Sequence, residues 1–175
     1  MHHVNHDLPI ERLVEASKNA ELMRRMAQFY DDLSEDIAHR PGVCRQRGIC
    51  CQFDARDGHC LYVTALEVCF YLSQQAPAPA NSNLCPHLID GLCTVREVRP
   101  LGCRVYYCDP AAQDWQGPIT ETYLARLRTL HDEFSVPYFY ADWLVVLEAL
   151  RAHGIMSSVM PSSGTNSIRS LPVRR

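Results

Sequence analysis

VCRQRGICCQ, residues 43–52, puts Cys50 and Cys51 side by side and a third cysteine, Cys44, six positions earlier. Adjacent cysteines are badly placed to bond each other, because a disulfide needs a defined Cα separation and torsion. They are well placed to present two thiolates to one or two nearby metal ions. A short stretch with this duty, rich in polar residues and glycine, reads as loop. The regular structure must then come from the sequence on either side.

The cysteines are confined to the middle of the chain. All nine lie between Pro41 and Asp109: Cys44, Cys50, Cys51, Cys60, Cys69, Cys85, Cys93, Cys103 and Cys108. The chain opens MHHVNHDLPIERLVEASK, with no apolar run and no small-residue cleavage site, so a secretory signal is not expected. A reducing cytoplasm is the expected location. Cysteines there serve as metal ligands or redox groups more often than as structural disulfides.

The second group is CPHLIDGLCTVREVRPLGCRVYYC, with spacing C-x7-C-x9-C-x4-C through Cys85, Cys93, Cys103 and Cys108. Pro86, Gly91 and Gly102 stand beside the sulfurs, and tight turns free backbone N–H groups that can hydrogen-bond to bound thiolate. Arg96, Arg99 and Arg104 would offset part of the negative charge. No C-x2-C occurs, so the pattern is not a two-by-two zinc ribbon, and it matches neither common ferredoxin run. The residues point to a polythiolate metal site. Soft sulfur suits both zinc and iron–sulfur clusters.

The order of these residues resembles the CxxCxxCC (YkgJ-like) cysteine-cluster family, described as zinc- or iron-chelating. Its first motif is roughly C-x2-C-G-x-C-C. Cys44, Gly48, Cys50 and Cys51 fall on it, with Arg47 in the place of the second cysteine. Its second half is matched by Cys85, Leu88, Cys93, Val95, Arg99, Pro100, Cys103, Arg104 and Cys108, with Arg96 in the place of a tyrosine. Thr64-Ala65-Leu66-Glu67 matches a helix start between the halves. The resemblance covers roughly residues 41–110 and implies metal or iron–sulfur binding without implying one reaction.

The matched cysteines number seven: Cys44, Cys50, Cys51, Cys85, Cys93, Cys103 and Cys108. Two four-thiolate sites need eight, and Cys60 is the natural eighth. Alternatively one cluster uses four. Cys69 stands with Leu66 and Phe70 at helical spacing and reads as packing. His59 and His87 adjoin cysteines and read as neighbours of the ligands more readily than as ligands. His131 reads as a packing residue on a helix face. A Met1-His2-His3 terminus could chelate copper or nickel, though a flexible polar end is the plainer reading.

Around the cysteines the chain reads as helix. Leu13, Leu22, Met26, Phe29, Leu33 and Ile37 recur at threes and fours once the polar Ser17–Asn19 is allowed for, so one N-terminal helix is expected over 9–39, stopped by Pro41-Gly42. Thr64-x-x-Glu67 is a capping box that should start a helix to about Gln75. APAPANSN, 76–83, reads as an extended linker. Thr94-x-x-Glu97 should start one or two turns ended by Pro100. Further helices are expected over 119–135 and 138–153, with Gly154 at the last cap.

No convincing alternating strand run is seen. Tyr138, Phe139, Tyr140, Asp142 and Trp143 read as an aromatic packing group, and Asp31, Asp32, Glu35 and Asp36 as a solvated helix face. The expected fold is mainly α: one domain over 1–160, with helices from both termini packed around a central, loop-rich, metal-bound cysteine lobe (41–110). A disordered tail is expected over 161–175.

The formal charge of -3 gives no reason to expect nucleic-acid binding. No apolar run is long enough for a membrane span. There is no phosphate loop, no G-x-S-x-G, no H-E-x-x-H and no dinucleotide fingerprint, so no enzyme class is indicated. The expected cofactor is an iron–sulfur cluster, with zinc as the alternative. The expected role is electron transfer, redox sensing or accessory to another protein. A structural zinc module that binds a protein partner is the alternative role.

Overall fold

The computed structural model describes residues 8–44, 60–74 and 85–155. Cys50, Cys51, His59, the 76–83 linker, Met1–His3 and the 161–175 tail lie outside the described residues. What is described is mainly helical. Six α-helices, two 3₁₀ turns and four very short strands make up the regular structure of these residues.

The single helix expected over 9–39 is two: α1, Ile10–Ala16, and α2, Ala20–Ala38. The break falls at the polar triplet. The Ser17 hydroxyl turns back to the Val14 carbonyl at 2.8 Å. The Asn19 side chain caps α2 by accepting from the Leu22 N–H at 3.0 Å. Short polar side chains compete with the helix for backbone groups, and here they win. The apolar stripe survives the break, and Leu13, Leu22, Met26, Phe29, Leu33 and Ile37 are all buried.

β1, Tyr62–Thr64, leads directly into α3, Ala65–Ser73. The expected box is there in its carboxylate half: Glu67 Oε2 accepts from the Thr64 N–H at 2.7 Å. Residues 65–71 of α3 are buried on every side. A helix apolar all round belongs in the middle of a core. α1 and α2 pack on α3, and the core cluster extends without interruption to the C-terminal helices.

The strands correct the expectation of none. β2, Leu88–Ile89, and β3, Leu92–Cys93, form a hairpin with Leu88 opposite Cys93. Its turn is Asp90-Gly91, with φ of 50° and 76°. Two positive φ values in succession are what the tight right-twisting hairpin turn demands, and Asp-Gly suits it. Thr94-x-x-Glu97 yields only one 3₁₀ turn, Arg96–Val98. The Thr94 hydroxyl donates to the His87 carbonyl at 3.1 Å, closing the hairpin instead of capping a helix. Pro100, expected to stop a helix, precedes a new one, α4, Leu101–Val105.

A 3₁₀ turn at Pro110–Ala112 runs into α5, Gln113–Phe134, which starts six residues before the expected 119. Pro118 lies inside α5, where it forgoes one N–H bond near the helix start. The last expected helix loses its first residues to a strand. β4, Tyr140–Asp142, pairs antiparallel with β1, Tyr62 opposite Asp142 and Thr64 opposite Tyr140. α6, Trp143–Ala152, then starts on Asp142, whose carboxylate accepts from the Leu144 and Val145 N–H groups at 2.8 and 3.3 Å.

α6 ends as expected. Gly154 (φ 69°) donates to the Arg151 carbonyl and Ile155 to Leu150, the double bond of a Schellman cap. Three links tie α2 to α5 in antiparallel order: Arg25 to both oxygens of Glu133 (2.6 and 2.9 Å), Asp32 to Arg126, and Asp36 to the Tyr123 hydroxyl (2.7 Å). Asp31 and Glu35 stay exposed. The acidic face is therefore half solvated and half docked.

Candidate metal centre

Residues 41–44 run along the start of α5 in the opposite direction to it. The Trp115 indole N–H donates to the Pro41 carbonyl at 2.8 Å. Gly42 (φ 108°) passes so close that an added Cβ would stand 3.0 Å from the Ala112 Cβ. The Val43 N–H donates to Asp109 Oδ2 at 3.3 Å. Each step along one segment matches about three residues back along the other. Cys44 follows Val43 and Cys108 precedes Asp109, the two residues joined by that last bond, and both cysteines are exposed.

Cys108 sits on a short link that is held at both sides. The Gln116 side-chain amide clasps Tyr107, accepting from its N–H at 3.3 Å and donating to its carbonyl at 3.0 Å. Asp109 Oδ1 accepts from the Ala111 N–H at 3.0 Å.

Cys103 lies one helix back, on α4. The start of α4 is fixed by Glu67, whose Oε1 accepts from the Leu101 N–H at 2.7 Å while Oε2 holds Thr64. A single buried carboxylate thus ties the N-termini of α3 and α4 together. Burial raises the Glu67 pKa, and the two N–H bonds act against that shift.

Cys60 arrives at the same helix from the other side. Its neighbour Leu61 is buried, and an added Cβ on Gly102 would lie 2.7 Å from the Leu61 Cδ1. Glycine beside Cys103 is what lets Leu61 seat there. The Leu61 carbonyl accepts from the Trp143 N–H at 2.8 Å. Burial, with the Asp142 carboxylate beside it, pushes the Cys60 thiol pKa up.

Cys85 and Cys93 share the hairpin. The Leu88 N–H donates to the Cys85 carbonyl at 2.9 Å, and Leu88 faces Cys93 across the ladder. Cys85 is buried and Cys93 half-buried. His87, 2% exposed, lies 3.0 Å through Nε2 from the Tyr71 hydroxyl. Burial, and then the charge of Arg151, pulls its pKa down to about 4. Nε2 is thus engaged by Tyr71.

Cys69 is the cysteine that packs. It is wholly buried, its Sγ lies 3.5 Å from the Leu13 carbonyl oxygen, and burial pushes the thiol pKa to about 12. His131 also packs, with Nδ1 3.1 Å from the Val136 carbonyl.

Among the described residues, no three Cys, His, Asp or Glu side chains gather as a metal site would require. Cys44 and Cys108 each adjoin one member of the Val43–Asp109 bond, and Cys85 and Cys93 lie before and within the β2–β3 hairpin. Cys60 and Cys103 flank the junction of residue 61 with α4. Cys50 and Cys51 lie outside the described residues. Sequence reasoning missed the Gln116 clasp, for which a lone glutamine gives no signal, and the second bond of Glu67, whose first was legible in the capping box. No family model, no curated protein and no solved structure matches this chain.

Proposed function

We propose that this chain is a metal-binding cysteine-cluster protein of the CxxCxxCC (YkgJ-like) kind, and that the metal is an iron–sulfur cluster. The observation that supports this reading is the anchoring of the interval 45–59 at both ends. It departs beside Asp109, next to Cys108, and returns at Leu61 against Gly102, next to Cys103. Cys50 and Cys51 belong to an interval whose two ends stand by two further cysteines.

The donor set fits the group. Two described thiols together with Cys50 and Cys51 make four, the number a cluster or a tetrahedral metal takes. Cys44, Cys50, Cys51, Cys60, Cys85, Cys93, Cys103 and Cys108 are the candidates. A bound cluster would supply one-electron oxidation and reduction. The chain's own contribution is to hold the backbone beside the thiols through Glu67, Gln116 and Asp109. The role that follows is electron transfer, redox sensing or service to a partner protein in a reducing cytoplasm. The same residues offer no catalytic constellation.

Zinc is the second reading. The hairpin of Cys85 and Cys93 exposes Ile89 and Leu92 (50% and 54%) and buries little apolar surface of its own. Segments of that kind draw folding energy from a structural metal. Purification under argon, without a metal-binding tag, separates the two. Iron with matching acid-labile sulfide and a broad visible absorbance is the expected result. Zinc without colour would replace the cluster by a structural site, and no metal at all would end the proposal.

A further inference from the structure

The break between α1 and α2 and the end of α5 line a cleft of about 420 Å³. Ordinary ligand pockets measure ~300–1,000 Å³, so this volume suits a small molecule and not a folded partner. The floor is apolar. Leu22 and Val136 line it and are buried, with Phe134 and Pro137 half-buried beside them. The rim is polar, with Arg12, Glu15, Lys18 and Ser135 all exposed to solvent. No cysteine lines the cleft, so it shares no residue with the candidate metal centre.

The rim carries two cations and one carboxylate, on a chain whose formal charge is -3. Glu15 is taken by Lys18 at 3.0 Å, an exposed pair of little strength. Arg12 has no hydrogen-bond or ion-pair partner among the described residues. Its guanidinium is the group that meets a carboxylate with two parallel bonds.

Ser135 gives an independent signal. Its φ of 51° is a conformation that glycine adopts freely and that a side chain disfavours. This residue closes α5 at the rim of the cleft, and its hydroxyl makes no hydrogen bond among the described residues. Strained residues of this kind gather at ligand-holding sites. Here a strained, unbonded hydroxyl and an unpaired guanidinium line the same apolar-floored cleft.

We propose that this cleft binds a small organic carboxylate. Arg12 takes the carboxylate, the Ser135 hydroxyl donates a further hydrogen bond to it, and the apolar body of the ligand lies on Leu22, Val136 and Pro137. A bare anion would leave the apolar floor wet, and a neutral apolar guest would leave Arg12 unanswered. The competing reading is a water-filled cleft with charges on its rim. The inference is independent of the metal-binding reading above.

The probe is octanoate, titrated into the reduced full-length chain under argon and read by the amide shifts in heteronuclear NMR. Octanol supplies the same apolar body without the charge, and acetate the charge with almost no body. Octanoate is expected to shift the Leu22, Ser135 and Val136 amides along saturating curves, with octanol and acetate each binding about 10-fold more weakly or worse. Arg12→Gln should weaken octanoate by about 10-fold, the worth of one charge-assisted bond, and leave octanol unchanged. Ser135→Gly should weaken octanoate by roughly 2- to 10-fold, the worth of a neutral hydrogen bond, without loss of stability. Shifts that do not saturate, or that scatter over the surface, would overturn the proposal. So would equal binding of octanol and octanoate, or wild-type affinity in either variant. Arg12 is exposed and unpaired, so its variant is expected to fold; if it does not, the octanoate-to-octanol ratio of the wild-type chain still decides.

Discussion

Gly102 shows how one missing methyl group shapes the candidate centre. A Cβ there would press on the Leu61 Cδ1 at 2.7 Å, and the pressed atom is the end of a flexible side chain. Leu61 can give way, but it is buried and would lose contacts as it moves. Gly102→Ala is therefore expected to cost about 1–3 kcal/mol, the usual range for an overpacked site. Chemical denaturation of Gly102→Ala, Leu61→Ala and the double variant checks the cause. The loss from Gly102→Ala should shrink once Leu61 is shortened, since residues in contact couple. Additive effects would place the strain elsewhere.

His131 gives a second expectation at this scale. Its Nδ1 faces a carbonyl, which can only accept, so that nitrogen carries the proton. Nε2 is then a buried lone pair with no hydrogen-bond partner among the described residues. The T-shaped Tyr138 ring faces the imidazole at 5.0 Å, with Arg128 over that ring. Asp132 is the nearby acid on the same helix. Burial lowers the folded-state pKa, with the Val136 bond and Asp132 partly opposing. The unfolded chain therefore takes up this proton first as pH falls below about 6.5, and folding stability drops from there downward. In denaturation midpoints measured across pH 7 to 4.5, His131→Gln should have a lower stability at neutral pH and a flatter acid limb. An acid limb as steep as wild type would show that His131 does not carry it.

At the scale of elements, α5 ends on an unusual residue. Ser135 holds φ 51°, and Ser135 and Val136 donate to the Asp132 and His131 carbonyls. That is the position where glycine ordinarily sits, because a Cβ is disfavoured in the left-handed region. Ser135→Gly is expected to stabilise the chain by about 0.5–1 kcal/mol, the relief of the Cβ less the entropy that glycine adds to the unfolded state. A thermal melt reads the sign directly, and a lower midpoint would mean that the Ser135 side chain contributes something its backbone geometry hides.

The helices were legible because their signal is long. Eleven or more residues of α2 and α5 repeat an apolar stripe, and α3 announces itself by Glu67 and an unbroken apolar run. The strands were not, since two or three residues cannot display alternation. Asp90-Gly91 is a hairpin signal, yet in the sequence reading Gly91 stands only as a turn beside a sulfur. The split of α1 from α2 turned on Ser17 and Asn19 recapturing backbone groups, and the late start of α6 on Tyr140–Asp142 finding β1, a partner some eighty residues away. The candidate site was legible as composition, in nine clustered cysteines. Its anchors were not, because Trp115, Gln116 and Gly42 act through long-range approach that no local pattern records.

At the scale of the whole molecule, the cysteines and the core are largely separate. The continuous apolar cluster draws on all six helices and contains Cys69, which packs, while α4 enters it through Leu101 and Val105 and Cys103 only leans on its edge. Cys44, Cys60 and Cys108 are exposed. A small zinc finger unfolds without its metal because the metal stands in for a core. This chain has a core of its own, so metal removal should have a divided effect. After anaerobic chelation the far-ultraviolet signal of the helices is expected to persist. Hydrogen exchange should meanwhile quicken at Val43, Tyr107 and Leu101, the amides whose partners are Asp109, Gln116 and Glu67. Amides in the middle of α2 and α5 should keep their protection, since they open only with the global fold. Collapse of the whole helical signal on chelation would show that the core depends on the cysteine segment, and the division drawn between them would be wrong.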